Sequence, residues 1–255
     1  MFEIVFLLIA GFLGGILNSI AGGGSFITFP ALLFVGVTPV SANATNTFSS
    51  CSGYISGAYA FRHELLAHKQ ELVWFIVFSL LGGVVGAWLL LQTPDDQFRR
   101  AIPWLLLFAS VLFIWGARLN AYFKSKAASH RHASLAAKVL LSTMLLGVCV
   151  YGGFFNAGLG IIILSYLALA GFQDINTMNG IKLLVSSFVS IIAIALFVID
   201  GVIVWYQGSL VLIGTVAGGY FAAHWSRNIP QHLVRSFVIV SSLAITIYFF
   251  YDIYF

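Results

Sequence analysis

The chain has 255 residues, of which 60% are hydrophobic and 8% charged, with a formal net charge of +4 and a mean hydropathy of +1.01. A soluble domain carries roughly 25% charged residues, so a water-soluble globule is excluded. The excess Lys and Arg sit mostly between apolar stretches, where they set membrane orientation and do not point to nucleic acid.

Apolar stretches near the length that crosses a bilayer recur from end to end, and they are predicted as helices because an open strand edge cannot persist in lipid. The first, Phe2 to Ile20, has Glu3 and no Lys or Arg before its apolar run, which reads as a retained span and not a signal peptide. A short segment follows from Ser25 to Val35, then Ser41 to Phe61, Leu72 to Leu91 and Ala101 to Ala117. A connection rich in Arg118, Lys124, Lys126, His130, Arg131 and His132 comes next. The second series is Leu135 to Phe155, a short segment from Ile161 to Ala170, then Asn179 to Ile199, Gly208 to Trp225 and Leu233 to Tyr251. The organisation is therefore a repeat over 1–117, a basic linker over 118–134 and a second repeat over 135–255.

The two series hold one register. Ala21-Gly22-Gly23-Gly24 recurs as Ala157-Gly158-Leu159-Gly160, an offset of 136 residues (Gly22 to Gly158). Gly11 with Gly147, Asn43 with Asn179, Gly82-Gly83 with Gly218-Gly219, and Pro94 and Arg99 with Pro230 and Arg235 keep the same offset. A duplicated apolar unit whose first hydrophobic stretch is interrupted by glycine is the pattern of a secondary transporter.

Loop charge sets the orientation. The linker is expected to be cytoplasmic, and so is the loop Arg62 to Glu71, which carries Arg62 and Lys69. In the second repeat the corresponding loop, Asp200 to Gln207, has no Lys or Arg, whereas Arg227 and Arg235 mark the other side. The termini lack basic residues and are expected outside. This asymmetry favours two inverted repeats of five segments, each with a broken or re-entrant helix at its glycine motif. A parallel four-plus-four arrangement is the rival.

The glycine runs free backbone amides and permit a sharp turn at membrane depth, and the short segments start immediately after them. The positive end of each half-helix would then point into the break, a setting that prefers anions. Close helix packing is the plainer use of glycine in lipid; two copies in register favour a site. Polar side chains gather there: Asn18, Ser19, Ser25, Thr28, Asn43, Thr45 and Asn46 in the first repeat, and Tyr151, Asn156, Asn176, Thr177, Asn179 and Lys182 in the second. Lys182, about one turn into an apolar helix, suits charge neutralisation of a substrate, with snorkelling to the surface as its alternative. Asn43 and Asn179 serve equally as hydrogen-bonding glue between helices. Asp174 is placed to carry a coupling proton or to cap the next helix.

Nothing implies an enzyme or a cofactor. His63-Glu64 with His68 misses the metalloprotease spacing, since the histidines are five apart and not four, and it reads as a solvated loop. No Walker motif is present. Cys51 and Cys149 have no CxxC or metal-ligand spacing.

Asn18-Ser19-Ile20-Ala21-Gly22-Gly23-Gly24-Ser25, with Pro30-Ala31-Leu32, Pro39 and Ala42-Asn43-Ala44-Thr45-Asn46, resembles the first signature of the TauE/SafE sulfite exporter family. Tyr151-Gly152-Gly153-Phe154-Phe155-Asn156-Ala157-Gly158, with Gly171, Asp174, Asn179 and Lys182, resembles the second; Gly180 stands where alanine is usual, and Leu159 breaks the glycine run. The resemblance spans the chain. It implies movement of a small anion such as sulfite, sulfoacetate or a related organosulfonate across a bacterial inner membrane. The residues expected to line the site are Asn18, Gly22, Gly23, Gly24, Ser25, Asn43, Thr45, Asn46, Tyr151, Asn156, Gly158, Gly160, Asn179 and Lys182, with Asp174 in a coupling role. An anion channel, and an intramembrane enzyme, are the other function classes.

Overall fold

The computed structural model describes residues 1–20, 23–127, 135–225 and 231–255. Among the described residues there are eleven helices and no strand: α1 (Phe2–Ile20), α2 (Ser25–Phe34), α3 (Pro39–Ala60), α4 (Arg62–Leu66), α5 (Lys69–Leu91), α6 (Asp95–Ala127), α7 (Leu135–Phe154), α8 (Leu159–Leu169), α9 (Ile175–Ile199), α10 (Trp205–Trp225) and α11 (Gln231–Tyr254). Every expected segment corresponds to a helix. Two local readings change: the loop after α3 is partly folded as α4, and α6 continues to Ala127, so the first ten residues read as linker are helical. Gly22, the linker core 128–134 and the turn containing Arg227 lie outside the described residues.

The outer faces are apolar, with exposed Val73, Val77, Leu81 and Trp88 on α5 and Ile213, Val216 and Tyr220 on α10. Two helices, α5 and α9, have mean hydropathies of 2.2 and 2.5 over a window long enough to span a bilayer. The fold is an all-helical, polytopic membrane architecture. Since lipid tails are as apolar as leucine, such helices are held by close van der Waals packing more than by apolar burial, and the glycines supply it. A methyl group on Gly15 of α1 would collide with the Thr215 carbonyl of α10; one on Gly86 of α5 would collide with the Val150 carbonyl of α7.

Each repeat lends its first helix to the other. The pairing of α1 with α10 is matched at the repeat offset by that of α7 with α5; α3 with α10 matches α9 with α5, and α2 with α11 matches α8 with α6. The corresponding helices α3 and α9 also touch, and they run antiparallel: Gly57 faces Leu183, while Gly180 faces Phe61. So do α6 and α11, where the Tyr254 hydroxyl donates to the Arg100 carbonyl at 3.0 Å and Trp104 packs edge to face on Phe250 with centroids 5.1 Å apart.

At each glycine break the chain turns back. Gly24 packs on Gly14 and Asn18, and Thr28 on Gly14, so α2 returns along α1; Leu159 packs on Gly152 as α8 returns along α7. With 10 and 11 residues, α2 and α8 are about 15 Å long, half of the hydrocarbon thickness. In the buried core Phe29, midway along α2, and Phe155 of the second break pack edge to face with centroids 5.5 Å apart.

Candidate functional site

The first break ends at Gly24, which opens α2 by accepting the amides of Ile27 and Thr28 at 3.0 and 3.1 Å. A Cβ here would lie 2.9 Å from that of Asn18, so the close return of the chain requires glycine. Asn46 reaches over from α3: its Oδ1 accepts from the Thr28 hydroxyl, and its Nδ2 donates to Ser25 Oγ at 3.2 Å. Ser25, Thr28 and Asn46 are all buried.

The second break runs through Phe155, Asn156 and Ala157 to Gly158. Gly158 has φ +80°, the left-handed conformation that side chains resist, and it abuts Ala109. The loose carbonyls of the break are taken up by the Tyr151 hydroxyl, donating to Ala157 O at 2.7 Å, and by Asn43, whose Nδ2 donates to Phe154 O at 2.9 Å from the opposite repeat. Lys182 lies at the mouth of α8. Its stem runs past Gly160, and Nζ donates to Asn179 Oδ1 at 3.1 Å. Because α9 starts at Ile175, Lys182 is seven residues into the helix, about 10 Å along it and not one turn. Arg62, Lys69, Arg99 and Arg100, by contrast, are exposed. Lys182 and Asn46 occupy the same position in the two repeats, each beside the first turn of a half-helix.

Tyr54 ties α3 to the second break: its hydroxyl donates to Asn156 Oδ1 at 2.8 Å. Asn156 in turn donates from Nδ2 to Ser190 Oγ at 3.1 Å. Tyr54 and Ser190 share one position at the repeat offset, so two corresponding residues converge on a single asparagine. Tyr54 and Ser190 were not anticipated from the sequence. Their signal is the shared offset at a position where the two repeats differ in residue type, which a search for identical letters passes over.

The remaining expected residues divide. Asn18 and Gly23 stand at the first break. Thr45 turns aside: its Oγ1 accepts from Val204 N at 3.0 Å, and Ser49 donates to Gly208 O at 3.0 Å, so this stretch of α3 secures the start of α10. Asp174 is exposed and caps α9, its Oδ2 accepting from Thr177 N at 2.7 Å. It borders an open cleft of about 430 Å³ lined also by His68, Glu71 and Phe172, roughly 12 Å along α9 from Lys182. His68 Nδ1 lies 3.5 Å from Glu71 Oε2, and no group of three or more potential metal ligands occurs among the described residues.

The model of the family described as "Sulfite exporter TauE/SafE" matches residues 7–249. A probable membrane transporter protein of Haemophilus influenzae is 29% identical over 251 residues, covering 95% of this chain and 92% of the relative. The probable membrane transporter protein YfcA of Escherichia coli K12 is 27% identical, with coverages of 94% and 87%, and the probable membrane transporter protein ORF9 of Sinorhizobium sp. is 26% identical, with 96% and 91%. No solved structure matches. With both glycine breaks inside the matched span, this chain belongs to the TauE/SafE sulfite exporter family of membrane transporters.

Proposed function

We propose that this protein is a secondary transporter that moves a small anion, such as sulfite, sulfoacetate or a related organosulfonate, through a site between the two helix breaks. The observation that carries this reading is the buried bond from Tyr54 to Asn156 together with the bonded pair Asn46 and Ser25, flanked by the N-terminal ends of α2 and α8 and by Lys182. Hydroxyl and amide donors, two helix N-termini and one cation together suit an acceptor-only guest. Enclosure of the donors favours a carrier over an open pore, and the membrane-transporter names of the relatives favour transport over catalysis.

The repeats are inverted across the bacterial inner membrane. The antiparallel course of α3 against α9 and α6 against α11 supports an exchange axis in the membrane plane. Both termini and the start of α10 share one end, where Glu3 accepts from Gln207 at 2.9 Å and Asp252 meets Arg99; that end faces the periplasm, and the basic linker the cytoplasm. Alternating access then comes from one repeat rocking on the other about the fixed centre, coupled to protons, with Asp174 at the cytoplasmic cleft as the coupling group.

Purified protein in liposomes tests this. Radiolabelled sulfite and sulfoacetate are offered with and without a pH gradient; saturable uptake, counterflow by unlabelled anion and acceleration by the gradient are expected. Flux that never saturates and shows no counterflow would establish a channel, and flux indifferent to pH would remove the proton.

A further inference from the structure

The polar groups of the closed site form two short hydrogen-bonded chains. In the first break the Thr28 hydroxyl donates to Asn46 Oδ1 and Asn46 Nδ2 to Ser25 Oγ. The other runs from α3 through the second break to α9, the Tyr54 hydroxyl donating to Asn156 Oδ1 at 2.8 Å and Asn156 Nδ2 to Ser190 Oγ at 3.1 Å. The buried Tyr54 hydroxyl thus has its acceptor in the empty site. An entering anion brings only acceptors, so it engages Tyr54 only by taking that donor over from Asn156. The carbonyl oxygen of Asn156 occupies the place of an acceptor from the guest.

We propose that Tyr54 is a specificity-determining residue that exchanges acceptors: its hydroxyl donates to Asn156 in the empty carrier and to an oxygen of the bound anion in the loaded one. The swap conserves hydrogen bonds, one acceptor replacing another, and it loosens the link between α3 and the second break when the anion is bound. Occupancy thereby unlocks the two halves. This rests on the anion-transport reading of the same site and adds the residue that senses the guest.

Tyr54→Phe keeps the ring and removes the hydroxyl. In liposomes loaded for sulfite and sulfoacetate uptake, the variant is expected to raise KM about 10- to 100-fold, the range for losing a hydrogen bond to a charged group, while Vmax stays within about threefold. Thr246→Val, which removes a buried hydroxyl bonded only to the Ser242 carbonyl of its own helix, is expected to leave both constants unchanged. A Tyr54→Phe variant with unchanged KM, or one that loses Vmax alone, overturns the assignment and makes Tyr54 a structural strut. A second readout does not depend on that variant: meta-fluorotyrosine at position 54 must shift its fluorine resonance when sulfite or sulfoacetate saturates the carrier, and an unmoved resonance overturns the swap. Wild-type protein that transports neither anion refutes the transport reading itself and removes the Tyr54 assignment with it.

Discussion

Lys182→Met separates charge from packing at the second break. Methionine preserves an unbranched stem against Gly160 and deletes the ammonium that donates to Asn179 at 3.1 Å. Two consequences have opposite signs. The empty protein gives up a partly buried cation held by one neutral partner, which costs stability little or nothing. The loaded protein gives up a charge-assisted hydrogen bond to the anion, worth about 1.5–3 kcal/mol, and at about 1.4 kcal/mol per tenfold the KM for sulfite rises roughly 10- to 150-fold. The assay is initial uptake into liposomes over a concentration series, paired with thermal unfolding of the empty protein in detergent. A KM within threefold of wild type would refute the role of Lys182 in substrate binding. A large drop in melting temperature with unaltered KM would make the lysine a structural residue.

Gly86→Ala drives a methyl group into the Val150 carbonyl and is expected to cost about 1–3 kcal/mol by overpacking, whereas Gly147→Ala, with open space around it, stays within about 0.5 kcal/mol; thermal unfolding compares the pair. Gly158→Ala meets both a positive φ and Ala109, and a loss of at least about 1 kcal/mol is expected; an unchanged melting temperature would contradict the left-handed turn. Asp174→Asn retains an acceptor for Thr177 N, so the fold is expected to hold while acceleration by a pH gradient is lost. If Asp174→Asn still follows the gradient, and Asp174→Ala only destabilises by about 0.5–2 kcal/mol, the residue is a helix cap and nothing more.

The helices were legible because lipid leaves few choices. Once composition rules out water, each stretch of suitable length becomes helical, and all the expected segments but Ala101 to Ala117 lie within about four residues of the helices observed. The end of α6 was not legible: Arg118 and Lys124 read as linker by charge, yet charged residues continue a helix readily once it leaves the apolar layer. The depth of Lys182 was misjudged for a related reason. Ile175-Asn176-Thr177-Met178 is too mixed to be read as helix, but Asp174 caps it, and a cap decides where a helix starts.

The candidate site was half visible. Ser25, Asn46, Asn156 and Lys182 stood out as polar letters near glycine breaks. Asn43 was visible as well, but its service to the opposite repeat was not, nor was the diversion of Thr45 to α10. Tyr54 lay unmarked in a polar helix. By itself the sequence determined the solvent, the helices, the duplication and the two breaks, because each depends on local composition or on the offset between letters. Which helices touch was decided only by the tertiary structure, through backbone approaches that glycine permits between segments more than 60 residues apart. Those approaches exchange α1 and α7 between the repeats and set α3 across α9, and that crossing is what brings Tyr54 and Ser190 to a single asparagine.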